Sequence, residues 1–254
     1  MNFFTELKRR NRLLYWFGLF NLVVAIVCLI LMQSETRQIL GVNRWLKPFK
    51  FYASVGIMVL TMGWLLHYLS DKKTIKRFSI GIFITMLFEN GLIILQAVRG
   101  TTSHYNVSSI FNMMVFNLMG IFILAFTIIC ILICIRFFRQ KEFTIPQPYV
   151  WGIRLGILFF IIFSVEGGVM LSILRHTVGA PDGGPGLPVT NWSSEHGDLR
   201  IAHFLGIHSL QLLPLLGYFF AKTKKQAIIL SLSYGAIVVA ILVQALVDIP
   251  LFFK

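Results

Sequence analysis

Seven long apolar runs, at about residues 14–32, 51–69, 78–98, 110–135, 150–174, 199–221 and 227–250, constrain this chain more than any other feature. A helix needs roughly 20 such residues to cross the hydrocarbon of a bilayer. Each run is long enough or within a residue of it. In hydrocarbon every backbone N–H and C=O must find its partner inside the segment, so a run of this length is a helix. Composition points the same way: 57% of the residues are hydrophobic and 13% charged, far from the balance of a soluble domain. The expectation is an all-α polytopic membrane protein: one seven-helix transmembrane domain over residues 1–254, with the lipid bilayer as its main partner.

The net charge of +13 raises the question of nucleic acid. The basic residues form no patch with interleaved aromatics; they stand in short clusters between the apolar runs, so no nucleic-acid partner is expected. Their distribution sets the orientation instead. Connections on the side of the amino terminus hold 14 Lys and Arg, in clusters at 8–12, 72–77, 136–141 and 222–225, and those on the other side hold 8. By the positive-inside rule the amino terminus is expected inside and the carboxyl terminus outside. The opening MNFFTELKRRNR has no small-residue cleavage site after it and reads as the flank of a retained helix. Cys28, Cys130 and Cys134 all lie in apolar runs and read as buried thiols, neither a disulfide framework nor a thiolate metal site.

Three connections carry more information. Residues 33–50 mix Val42, Trp45, Leu46 and Phe49 with Arg44, Lys47 and Lys50, which suits either a segment lying in the interface or an aromatic-anchored start to the second helix. Pro146 and Pro148 separate the fourth and fifth runs and suggest four helices followed by three. Residues 175–198, rich in Gly and Pro, cannot be helical and exceed what two neighbouring helices need for a connection. They are expected to form a lid-like outer loop, with Ser193, Ser194 or Asp198 capping the helix that follows.

Polar side chains inside the runs mark a site, because an ionisable group in hydrocarbon costs at least a few kcal/mol unless it meets a partner or water. In the sixth run Arg200, His203, His208 and Gln211 share an arc of about 140° at 100° per residue. In the third, Thr85, Glu89, Gln96 and Arg99 span about 80°, and in the seventh Ser233, Gln244 and Asp248 span about 60°. The fifth contributes Glu166, followed by Gly167 and Gly168, which let a neighbour approach the backbone. Most of these fall in the outer half of their helices, which suggests a polar cavity opening outward.

The residue types assign roles. Glu89, Glu166 and Asp248 are the candidate catalytic acids and bases, and Glu89 and Asp248 alike are expected to be desolvated in an apolar bundle, with raised pKa values, and able to donate a proton. Gln96, Arg99, Arg200, Gln211 and Gln244 are the candidate substrate contacts, with Arg99 or Arg200 a partner for Glu89. His104, His203 and His208 are the candidate ligands of a divalent metal ion, although a five-residue spacing sets His203 and His208 about 140° apart around their helix. No nucleophile elbow, phosphate-binding glycine loop or HExxH is present. The expected function is a membrane-embedded enzyme or binding protein for an amphipathic or lipid-like small molecule. A small proton-coupled transporter is the first alternative and a structural or partner-binding membrane subunit the second.

The stretches ILQAVRGTTSHYN, GPGLPVTNW and RIAHFLGIHSLQLLPLLGY resemble a group of uncharacterised bacterial integral membrane proteins of about this length. That resemblance implies a seven-helix bundle in the cytoplasmic membrane and carries no catalytic residue across.

Overall fold

A computed structural model describes residues 2–251. The chain forms α1 (Phe3–Arg10), α2 (Arg12–Ser34), a hairpin of β1 (Gln38–Ile39) and β2 (Val42–Asn43), α3 (Leu46–Leu65), α4 (Lys72–Val98), α5 (Ile110–Arg139), α6 (Gln147–Ile173), α7 (Leu199–Phe219) and α8 (Lys224–Leu246). Among the described residues seven of these helices, α2 to α8, are long and apolar enough to cross a membrane. The chain divides into two compact units, one ending at Arg136 and the other beginning at Phe137.

Several helices begin earlier than their apolar runs, because polar caps set their starts. Asn11 accepts from Leu14 N at 3.1 Å to open α2, and Asp71 accepts from Lys73 N and Thr74 N at 3.0 and 3.2 Å to open α4. Thr223 and Gln226 close a reciprocal capping box at α8. The short helix α1 is an addition to the expected set. Asn2 caps it, Glu6 pairs with Arg9 and Arg10 one turn on, and the Arg10 guanidinium lies 3.7 Å from the Trp64 ring centre. Arg9 first and Arg10 second hold the Glu6 carboxyl down at about 2.

In the first unit, residues 33–50 divide between two structures. Leu40 and Gly41, at φ of 50° and 76°, make the tight turn of the hairpin, and α3 then starts at Leu46 so that Lys47 and Lys50 stand in its first turns. Helices α2 and α3 cross closely: a Cβ on Gly18 or on Gly56 would stand 3.3 Å from the carbonyl oxygen of the other. Helix α5 packs on α4 through Ile93, Val115 and Met119 and through the Phe88–Phe122 stack at 4.6 Å. Its other faces present Ile110, Met114, Ile121 and Leu124, all more than half exposed, as a helix in contact with lipid does.

In the second unit α6 and α7 pack through small residues. The Ser209 hydroxyl donates to the Gly156 carbonyl at 3.0 Å, and a Cβ on Gly152 would stand 3.0 Å from Pro214 Cα. Association in lipid lacks a hydrophobic driving force and depends on such close backbone contact. Pro214 removes one N–H from the interior of α7, at the level where Gly156 lets α6 approach. Helix α8 completes the unit, with Val238 packed beside Phe163 and Ala202 and the Tyr234 hydroxyl donating to Leu205 O.

Candidate functional site

The second unit builds its polar end from α6, the loop after it and the start of α7. Glu166 is 8% exposed, and its Oε2 lies 3.1 Å from His203 Nδ1. A carboxylate can only accept, so Nδ1 carries the hydrogen and Nε2 is left as the acceptor, the tautomer of a histidine oriented by a carboxylate. Gly167 makes this possible, since a Cβ there would stand 3.1 Å from His203 Cε1, whereas nothing lies within 4 Å of the same point on Gly168. The second oxygen of Glu166, Oε1, is buried with no hydrogen-bond partner. Buried acceptors are nearly always paired, so this one is an open position for a donor.

Asp198 organises the start of α7. Its carboxylate caps the helix through Arg200 N at 3.0 Å, takes Ser193 N at 2.7 Å and pairs with the Arg200 side chain, whose Nε lies 2.9 Å away. Of the three expected caps it is Asp198 that fills the role. The loop before it is folded by its own contacts. Val178 N donates to Gly197 O at 2.8 Å and Leu187 N to Trp192 O at 2.8 Å, and Trp192 packs edge-on to Phe204 of α7. Asp182 accepts the backbone N–H of His176 and Thr177 at 3.0 and 3.1 Å and lies 2.6 Å from His176 Nδ1. Burial pushes the Asp182 carboxyl up, but the His176 ring and these N–H groups together hold it well below the usual carboxylate range. A cavity of about 270 Å³ lies within this loop, with Thr177, Asp182, Ser193, Glu195, His196 and Arg200 among its lining; Arg200 is the lining residue that comes from a helix.

Other expected site residues of this unit have structural partners. Asp248 lies beyond the end of α8, more than a third exposed, where it accepts from Gly197 N at 3.0 Å and faces His196 Nδ1 at 3.1 Å. The expected desolvated acid is thereby corrected: the Gly197 N–H, aided by His196, holds the Asp248 carboxyl below its ordinary value. The run at 227–250 hid this, because α8 stops at Leu246 and Asp248 takes a left-handed turn. Gln244 donates to Pro250 O at 2.9 Å and fastens the same end. Gln211 accepts at 3.2 Å from the His208 ring one turn back, and His208 lies against Phe204 at 4.3 Å. His203 and His208 thus serve different neighbours.

The first unit holds Glu89, Gln96, Arg99 and His104. Glu89 is 4% exposed on α4, and its Oε1 lies 4.0 Å from His104 Nε2 while Oε2 has no hydrogen-bond partner. His104 Nδ1 receives Lys47 Nζ at 3.2 Å and the Ser103 hydroxyl at 3.0 Å, and its ring packs beside Phe51. Gln96 donates to Asn112 Oδ1 at 3.1 Å. The Arg99 guanidinium lies 4.0 Å from the Phe111 ring centre and Arg200 is held by Asp198, so the basic side chain facing Glu89 is His104 and not an arginine.

Sequence reasoning missed three members of these clusters: Lys47, Asp182 and His196. Lys47 was visible only as one of several interfacial cations, and the partners of Asp182 and His196 lie in irregular loop backbone that leaves no periodic signal. Among the described residues no three His, Cys, Asp or Glu side chains gather into a set that could hold a metal ion. Compared with known proteins, the chain matches no protein-family model, no curated protein and no solved structure.

Proposed function

We propose that this chain is a multi-pass protein of a bacterial cytoplasmic membrane, amino terminus inside, whose second unit binds or transforms an amphipathic or lipid-like small molecule. The observation that carries the reading is Glu166: a buried carboxylate with one oxygen on His203 and the other unfilled. The open oxygen calls for a hydroxyl or amine donor, and the exposed Ile162 and Val165 on the same turns of α6 offer apolar surface for the rest of such a molecule. His203, fixed by Glu166 and by the bare backbone of Gly167, offers Nε2 as hydrogen-bond acceptor or general base. Arg200 stands one turn before His203 on α7 and supplies a cation at the headgroup level. The orientation rests on the bias of 14 against 8 basic residues between the two sets of connections.

Native mass spectrometry of the full chain, released gently from the membranes in which it is made, tests the binding reading. A small-molecule adduct is expected on the wild type and reduced at least about tenfold in Glu166→Gln and His203→Ala, the loss that one buried hydrogen bond of about 1.4 kcal/mol brings. Equal adducts on all three proteins, or none on the wild type, would remove the site from consideration. Labelling of a cysteine introduced at Glu195 from the outer side tests the orientation.

A further inference from the structure

The first unit carries a second acidic centre that the proposed ligand site does not use. Glu89 is buried in the second half of α4, its Oε2 has no hydrogen-bond partner, and its Oε1 faces His104 Nε2 at 4.0 Å. On the far side of the ring, Lys47 Nζ stands 3.2 Å from Nδ1. An ammonium can only donate, so Nδ1 is the acceptor and the neutral ring carries its hydrogen on Nε2, directed at Glu89. Three titratable groups from three segments, α3, the 99–109 loop and α4, are therefore strung in donor-to-acceptor order from a half-exposed lysine to a buried carboxylate. Around this trio Tyr105 packs edge-on to the His104 ring, and the amides and arginines nearby are held by other partners. Asn90 donates to Asn21 of α2 at 2.7 Å, and Gln96 donates to Asn112 of α5. Arg99 lies over Phe111, and Arg44 is paired with Glu35 at 2.6 Å.

We propose that Glu89 is a proton-binding site, loaded and unloaded from the surface through His104 and Lys47. In the loading step an N–H bond of the Lys47 ammonium breaks as the Nδ1–H bond of His104 forms. The Nε2–H bond breaks as an O–H bond forms on Glu89. The ammonium becomes an amine, the ring changes tautomer, the carboxylate becomes a carboxylic acid, and the amine then takes a proton from bulk water. Unloading runs the same transfers backwards: the ammonium gives a proton to bulk water, the amine takes the Nδ1 hydrogen as the Glu89 O–H bond breaks and the Nε2–H bond re-forms, and the ring returns to its first tautomer. One water molecule or a small ring rotation closes the 4.0 Å gap, within the reach of positioned proton transfer. The chain has the two ends such a path requires, a group that meets water and a group that does not.

Infrared difference spectroscopy of the full chain in lipid nanodiscs after a pH jump tests this. A protonated-carboxyl band is expected to grow on acidification and to vanish in Glu89→Gln. In His104→Gln and in Lys47→Met it is expected to form roughly a hundredfold more slowly, the low side of what a positioned proton donor contributes. Helix content and monodispersity of each variant establish that it is folded. A band that persists in Glu89→Gln overturns the proposal, as does the absence of any titrating carboxyl in the wild type. Equal rates in the wild type, His104→Gln and Lys47→Met overturn the relay.

Discussion

His203 Nδ1 lies 3.1 Å from Glu166 Oε2, with its imidazole pressed against α6 where Gly167 leaves the backbone bare. The pair joins α6 to α7 at the level where the loop over residues 175–198 begins and ends. It fixes the tautomer of one residue and leaves the other with an open oxygen.

That geometry separates two adjacent glycines. Gly167→Ala puts a methyl 3.1 Å from His203 Cε1, so the ring must give by a few tenths of an ångström and its hydrogen bond to Glu166 is disturbed. Gly168→Ala meets nothing within 4 Å. Adduct retention is expected to fall in Gly167→Ala and to stay at the wild-type value in Gly168→Ala, which is also expected to gain up to about 1 kcal/mol of stability in thermal unfolding, and more than Gly167→Ala gains.

Asp198 is the hub between the loop and α7. Asp198→Ala removes a helix cap, frees Ser193 N and leaves Arg200 without its carboxylate. A loss of about 2 kcal/mol is expected from the cap alone at its upper range. Limited proteolysis would show it as new cleavage within residues 175–198, with the rest of the chain intact.

Acid is expected to loosen the same loop through Asp182. Its folded pKa lies below the ordinary value, so its contribution is complete above about 3.8 and is lost as pH falls further below that value. An acid-active protease should cut the loop of the wild type progressively faster below that point. Asp182→Asn should be cut readily at every pH, with no acid step.

The α6–α7 crossing tolerates no added bulk. Gly152→Ala drives a methyl into the Leu213 and Pro214 backbone and Gly156→Ala drives one into Ser209 O at 2.9 Å. Each is expected to cost about 2 kcal/mol or more, as overpacking of a tight contact does. Unfolding in detergent followed by circular dichroism would measure it. A neutral result at both positions would mean that the two helices part easily.

The local part of this architecture was legible before any coordinates. Runs such as 199–221 could only be helices, because hydrocarbon leaves the backbone no other way to satisfy itself, and the structure places α7 over Leu199–Phe219. The polar arcs on α4 and α7 were equally plain, since helical periodicity puts Glu89 with Gln96 and Arg200 with His203 on one side. Where the helix ended was less plain: Asp248 reads as part of an apolar run, yet the chain turns left-handed there and the carboxylate goes to Gly197.

Alone, then, the sequence determined seven helices and the faces that carry charge, all of which follow from neighbours along the chain. Partnership was decided by tertiary structure alone. Glu89 meets His104 and not Arg99, and Glu166 meets His203. Side-chain pairing depends on how helices approach and how loops fold back, and those contacts are set by bare glycine backbones and loop hydrogen bonds that no periodic pattern records.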